Sequence, residues 1–277
     1  MQEISISSWN QFGKEIECIK KKYSEYTRNL GDCEKYTPKN NIIYRGQANS
    51  SWKLETTLER SSKFIFSITR YMEIAVRKIE QIQAYTDKDW QVKIYPDIKN
   101  EIIMNAKSRF VKLPHYNYLA YLRHHGFPSP LLDWTDSPYV AAYFALCENI
   151  ECDSAVFCYI DSLKGVKSGW VSDNAINWMG PYAKTHKRHF AQKSSYTIST
   201  RLDGDDYRFA PHEIVFDAKR KEQDILVKII IPNYVKKEAR KNLRDYNINA
   251  FTLFNSEDAL IKSISQELFD DLQEELA

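Results

Sequence analysis

Leu131-Leu132-Asp133-Trp134-Thr135, with Ser137-Pro138 close behind, is the stretch on which the fold of this chain turns. Its five residues predict a short strand. Ser137 then offers a helix N-cap, and Pro138 fits the first helical position, where a missing N–H is harmless. A helix is expected from Pro138 to Glu148, packing one face through Val140, Ala141, Phe144 and Ala145. Ahead of the strand, a helix from about Tyr116 to His125 is stopped by Gly126 and Pro128. Alternation along the strand places Asp133 and Thr135 on one face and Trp134 on the other.

Outward from this unit, the first 35 residues predict a helix with Trp9, Phe12, Ile16 and Ile19 at helical spacing and Ser8 as its cap. Asn41 to Gly46 reads as a short strand ended by glycine. Leu58 to about Tyr85 reads as one long amphipathic helix, and Ile102 to Val111 as another that Pro114 interrupts. Ala155–Ile160 is expected to be a buried strand, and Asp161–Arg188 irregular. Further strands are expected at Ser195–Ser199, Glu213–Phe216 and Ile225–Ile231. Pro232 opens a basic helix to about Tyr246. A last helix from near Ser256 carries Leu260, Ile264, Leu268 and Leu272 at steps of four. The order of elements implies an α+β or α/β chain with too few long strands for a sandwich. No linker divides it, so a single domain spanning 1–277 is expected, with a helical segment over 1–40 and helices of 232–277 packed on it.

Lys and Arg outnumber Asp and Glu by only two, 39 against 37. Net charge therefore points to no polyanionic partner, and nucleic acid would need a local patch. Aromatic residues are 13% of the chain, while glycines number only 8. The N-terminus lacks a signal-peptide pattern and no apolar run reaches the ~20 residues of a membrane span. A cytoplasmic protein without a membrane partner is expected. The five Cys, with no CxxC pair, are expected to be reduced and structural.

Three constellations carry possible chemistry. Tyr44-Arg45-Gly46-Gln47, with Trp52 and Arg60 downstream, puts an arginine at the end of a buried strand. Its planar fork suits phosphate or carboxylate, and Gly46 would let backbone approach closely. The alternative is an arginine paired with a core carboxylate, Asp133 being the obvious partner. In the second, His124, His125, Ser129, Asp133, Thr135 and Asp136 crowd together, and Thr135, Asp136 and Ser137 sit at a helix N-terminus that favours an anion. Plain capping explains the same residues. The third is His186-Lys187-Arg188-His189 with Gln192, which either holds phosphate or is solvated surface. The same choice applies to Lys236, Lys237, Arg240, Lys241 and Arg244. No Walker, GxGxxG, HExxH or GxSxG motif is present, and no metal site is expected.

The segments Ile43–Gln47 with Trp52, Leu54, Leu58 and Arg60, and Arg123–Thr135 with Ser137-Pro138, Ala141 and Tyr143-Phe144-Ala145, resemble the FRG domain family. Arg188, Ala191-Gln192 and Tyr196 are similar to its third element, and order and spacing agree over about residues 5 to 265. The pattern departs at Ser129-Pro130, where Thr-Arg is usual, and at Lys193-Ser194, where glycine is common. The layout looks like that of ADP-ribosyltransferases. The resemblance therefore implies an α+β fold with a small mixed or antiparallel, split β core surrounded by helices. It implies NAD as substrate, with Arg45, Thr135 and Gln192 in the catalytic places. Tyr44, Gly46, Gln47, Trp134, Ser137 and Arg188 would surround the nucleotide. A nucleotide-type ligand is then the partner, with a protein or nucleic acid as acceptor, in an enzyme of bacterial or phage-associated defence or toxin type. Two rival readings are a non-catalytic nucleotide or nucleic-acid binding module, and a phosphoesterase or nuclease using Asp133 with His124.

Overall fold

The computed structural model describes residues 1–28, 42–61, 67–93, 95–105, 113–163, 167, 169–170, 173–179, 188–204, 206–219 and 222–275. In chain order the elements are β1 (Gln2–Ser5), α1 (Trp9–Arg28), β2 (Ile42–Gln47), α2 (Thr57–Ser61), α3 (Ile68–Val76), α4 (Ile79–Thr86) and α5 (Tyr95–Asn105). Then follow α6 (Tyr116–His124), β3 (Leu132–Thr135), α7 (Pro138–Leu146), β4 (Ser154–Ser162), β5 (Ala175–Met179) and α8 (Arg188–Ala191). The chain finishes with β6 (Ser194–Asp203), β7 (Asp206–Phe209), α9 (His212–Asp217), β8 (Gln223–Ile231), a short 3-10 turn, α10 (Lys236–Asp245), α11 (Ala250–Phe254) and α12 (Glu257–Glu275).

The eight strands form one sheet in the order β1-β8-β4-β2-β3-β6-β5, with β7 also on β6. Among the described residues only β1 and β8 run parallel. The α+β class follows directly. The sheet is also divided. β2 matches β4 along six positions and β3 matches β6 along four, but β2 and β3 meet at the single pair Tyr44–Thr135. Two four-stranded halves therefore join at one residue pair and part on either side of it.

Each half has its own helical cover. α1, α7, α10 and α11 close over β2, β4 and β8 through Phe12, Ala141, Val156 and Ile229. α3, α5 and α6 cover β6 and β7 through Met72, Ile98, Leu119 and Tyr207. The opposite face has one shared floor, where Ile43 and Phe157 of the first half meet Trp134 and Ile176 of the second beneath α9. Burying these side chains, at roughly 1.5–3 kcal/mol each, is what fixes the two halves against a common base.

Several sequence expectations need correction. Glu213–Phe216 is not a strand: it lies within α9, whose buried residues His212, Val215 and Phe216 stand three and four apart. A four-residue apolar window cannot separate the two periods. The long helix expected from Leu58 is divided into α2, α3 and α4, because Ser67 caps a new start by accepting from Arg70 N. Helix α5 starts at Tyr95, earlier than expected, while residues 106–112 lie outside those described. β1, β5, β7 and α11 were not anticipated. The first 35 residues divide into β1 and α1, and residues 29–41 lie outside the described part.

Candidate functional site

The site begins with alternation on β2. Ile43 packs into the shared floor while Tyr44 packs under α7, so Arg45 and Gln47 leave on the floor side and Gly46 on the α7 side. A Cβ on Gly46 would sit 1.9 Å from Ala141 O and 2.6 Å from Ala145 N. The glycine thus lets the α7 backbone lie against β2, and it also lines the cleft described below. With β2 pinned between α7 and β4, the gap toward β3 is fixed in place.

Arg45 reaches into that gap. Its Nη1 donates to Asp133 O at 2.8 Å and lies 3.7 Å from Asp133 Oδ2. Arg123, from the end of α6, donates to the same carboxylate oxygen through Nη2. The two arginine side chains are 15% and 19% exposed, whereas Asp133 is 37% exposed. Burial pushes the Arg45 guanidinium down to about 10; Asp133 opposes the fall, and Arg123 and Arg60 add to it. It remains a cation at neutral pH. The Nε atoms of Arg45 and Arg123 are buried and make no hydrogen bond among the described residues. One carboxylate therefore stands against two desolvated guanidiniums. Such a site attracts a further anion.

Around this pair the gap widens into a cleft of about 800 Å³. Trp52, Lys53, Glu55 and Arg60 form one wall; His124 and Tyr196 stand beside Asp133. Arg188, Gln192, Phe144, Glu148 and Phe254 form the other end. Lys53 and four arginines face three carboxylates, Glu55, Asp133 and Glu148, so cations exceed anions by two. The volume falls within the usual range for a small-molecule site.

The other expected residues divide into cleft and scaffold. Thr135 Oγ1 donates to Gln192 O at 2.7 Å and accepts from Ser137 N, so its hydroxyl ties β3 to the loop before β6. Gln192 lies in the cleft, and its Nε2 donates to Leu253 O. Arg188 lies across Phe254 and donates to its carbonyl. His124 Nε2 meets Tyr196 OH at 2.9 Å. Burial, helped by Asp133, raises the Tyr196 phenol well above its usual range. Gln47 is buried and donates to Lys53 O. Tyr44 is buried in the core under α7. Trp134 packs its indole against Tyr159 and donates to Thr197 Oγ1 at 2.8 Å, on the face away from α7. Trp134 thus has a scaffold role, and it also contributes to the lining of the cleft. Ser137 caps α7 through Val140 N and does not line the cleft. Thr135 Oγ1 also receives the N–H of Ser137, the capping residue of α7.

Residues 40–154 match the FRG domain. This chain carries an FRG domain. The matched segment includes β2, α2, α6, β3 and α7, and thereby Arg45, Arg60, Arg123 and Asp133. Gln192, Arg188 and Tyr196 lie beyond it, so the match is narrower than the resemblance read from sequence. No curated protein and no solved structure matches the chain.

Sequence reasoning missed Arg123 as a site residue, although it lies within the FRG motif that carried the resemblance. The signal was available: Arg123 ends α6 ten residues before Asp133, at the far side of the Gly126 turn. His189 belongs to the run expected either to hold phosphate or to be solvated surface. It is 1% exposed and stacks on Tyr196. His186 and Lys187 lie outside the described residues. Among the described residues no group of His, Cys, Asp or Glu has a metal-binding arrangement, and no helix is long and apolar enough to cross a membrane. Cys18, Cys147, Cys152 and Cys158 are free thiols.

Proposed function

We propose that the FRG cleft binds a dinucleotide through its diphosphate, with NAD as the substrate, and transfers ADP-ribose to an acceptor. The observation that carries this reading is the parting of β2 from β3 at one residue pair, with Arg45 and Arg123 sharing Asp133 in the gap. Two guanidiniums and Arg60 offer the paired donors that a diphosphate accepts. The reaction breaks the bond between nicotinamide nitrogen and the ribose C1′, and the electron pair leaves with neutral nicotinamide. The acceptor atom then bonds to C1′ and gives up its proton. Positive charge gathers on the ribose in between, where a carboxylate or amide oxygen facing the ring lowers the barrier. Of the carboxylate and amide groups that line the cleft, we assign this part to Asp133, which lies against both Arg45 and Arg123, and to the side-chain oxygen of Gln192, whose nitrogen already donates to Leu253 O.

The rival readings fit less well. The helix proposed to grip nucleic acid spends three of its five cations internally, Lys236 donating to Ile150 O and Arg240 and Arg244 pairing with Asp270, while Lys237 and Lys241 are exposed on it. Asp133 is held by two arginines and His124 by Tyr196, so neither is arranged as an acid–base pair for phosphoester cleavage.

The test is incubation of the full chain with NAD labelled in the nicotinamide, with and without a cell extract supplying acceptors. Free nicotinamide is expected, and its release should fall at least a hundredfold in Arg45→Lys, whose single ammonium cannot replace a two-pronged donor. Undiminished release in that variant, or none from the wild type under any acceptor mixture, overturns the proposal.

A further inference from the structure

Helix α12 is attached to the body by its polar side. Ala259, Ser263, Gln266 and Asp270 follow one another at steps of four, three and four, which keeps them on one face. Ala259 is buried in the core under α7. Ser263 Oγ accepts from Phe251 N at 2.9 Å, and Gln266 donates to Cys147 O at 3.3 Å. Asp270 pairs with Arg244 at 2.5 Å and Arg240 at 3.7 Å. The opposite face carries Leu260, Ile261, Ile264, Leu268, Phe269 and Leu272, each between 39% and 65% exposed.

This inverts the usual arrangement, in which a surface helix buries its apolar stripe and shows its polar one. The exposed apolar face comes to roughly 600 Å², at the top of the range for the largest patch on a monomer and approaching the ~800 Å² per side of a stable interface. Its charge setting selects the occupant. The α12 sequence has seven acidic residues and one lysine; Asp270 is spent on Arg240 and Arg244, which leaves six acids against the one cation. Two copies laid face to face would bring those acidic sets together, which opposes self-pairing. A helix bearing Lys and Arg beside its own apolar stripe meets both features at once.

We infer that the outer face of α12 is a docking site for a basic amphipathic helix of another protein. The partner supplies apolar residues at three- and four-residue spacing, flanked by cations. This surface is separate from the cleft, so the inference stands or falls independently of the NAD reading.

The experiment measures fluorescence anisotropy of a labelled synthetic peptide of about 20 residues, with Leu at helical spacing and Lys elsewhere. A Leu/Glu peptide of the same pattern is the control, and the full chain is titrated at physiological ionic strength. The Leu/Lys peptide should bind at least tenfold more tightly than the Leu/Glu peptide. Ile264→Asp with Leu268→Asp should reduce that binding at least tenfold, with an unchanged melting temperature. Equal affinity for the two peptides, or undiminished binding to the double variant, overturns the inference. It is also overturned if the wild-type chain sediments as a dimer that the double variant converts to monomer, because the occupant is then a second copy.

Discussion

Replacing Asp133 by Asn separates two roles that the site geometry assigns to one carboxylate. The substitution keeps size and shape but removes the charge shared by Arg45 and Arg123. At an effective dielectric of 20, two unit charges about 4 Å apart attract by ~4 kcal/mol, which sets a ceiling. Asp133 is 37% exposed, so solvent screening brings the net worth of its ion pairs to about 1 kcal/mol. The hydrogen bond from Arg45 to Asp133 O survives, because it goes to backbone. Asp133→Asn should therefore lower the melting temperature by only about 2–4 °C. Anion binding should move the other way. A diphosphate must compete with Asp133 for both guanidiniums, and without that competitor the ~1.4 kcal/mol of a tenfold change is within reach. Calorimetric titration with ADP-ribose should show about tenfold tighter binding in the variant, alongside a large loss of nicotinamide release. Weaker ADP-ribose binding would refute the competition argument and make Asp133 a positioner of Arg45. A fall in melting temperature beyond about 10 °C would mark it as a core pin.

Three further outcomes follow from the packing. Gly46→Ala places a methyl 1.9 Å from Ala141 O, so α7 must move off β2; a thermal melt should show loss of more than 3 kcal/mol or no folded protein, and a melt within 2 °C of wild type would contradict the contact. Trp134→Phe removes the indole donor to Thr197 while leaving His212 bonded to that hydroxyl, and should cost about 1–2 kcal/mol in denaturant unfolding. His212 is pushed down to about 3 by burial, with Arg45 and Lys167 adding to it. Since its folded value lies below the unfolded ~6.5, the stability it contributes is complete above pH 6.5 and is lost as pH falls toward 3. That amounts to about 2 kcal/mol at pH 5, and the difference in unfolding free energy between pH 7 and pH 5 should shrink by this amount in His212→Asn.

The sequence showed the strand–helix unit from Leu131 to Leu146 because capping and proline chemistry are local. It also showed Arg45 and Asp133 as possible partners. What it could not show was that each holds a different part of the other's surroundings: the arginine takes the backbone carbonyl, and Arg123 takes the carboxylate. Such sharing depends on how far two strands diverge, which no periodicity records. Glu213–Phe216 and the Leu58–Tyr85 segment misled for a different reason. Apolar spacing identifies a buried face, while the length of an element is set by caps such as Ser67 and by neighbours distant in sequence. Ser137 stands next to the site in the motif, yet its hydroxyl caps α7 and it does not line the cleft, whereas Trp134 both lines the cleft and donates into the scaffold.

The division of the sheet also has an order in time. Every strand of one half, β3, β5, β6 and β7, lies between residues 132 and 209. The other half needs both ends of the sequence, since β1 pairs Gln2 with Val227 and Ser5 with Ile230. On a ribosome that makes the chain from its N-terminus, the inner half has all its strands before β8 exists. β1 must wait, unpaired, for a partner more than two hundred residues away, a slow closure by its sequence separation. The cleft has its arginine from one half and its carboxylate from the other. Phe254 of the cleft lining also follows β8 in sequence, so the cleft is complete only on a chain made past that residue, and a cleft ligand present during synthesis would favour finished chains over partial ones.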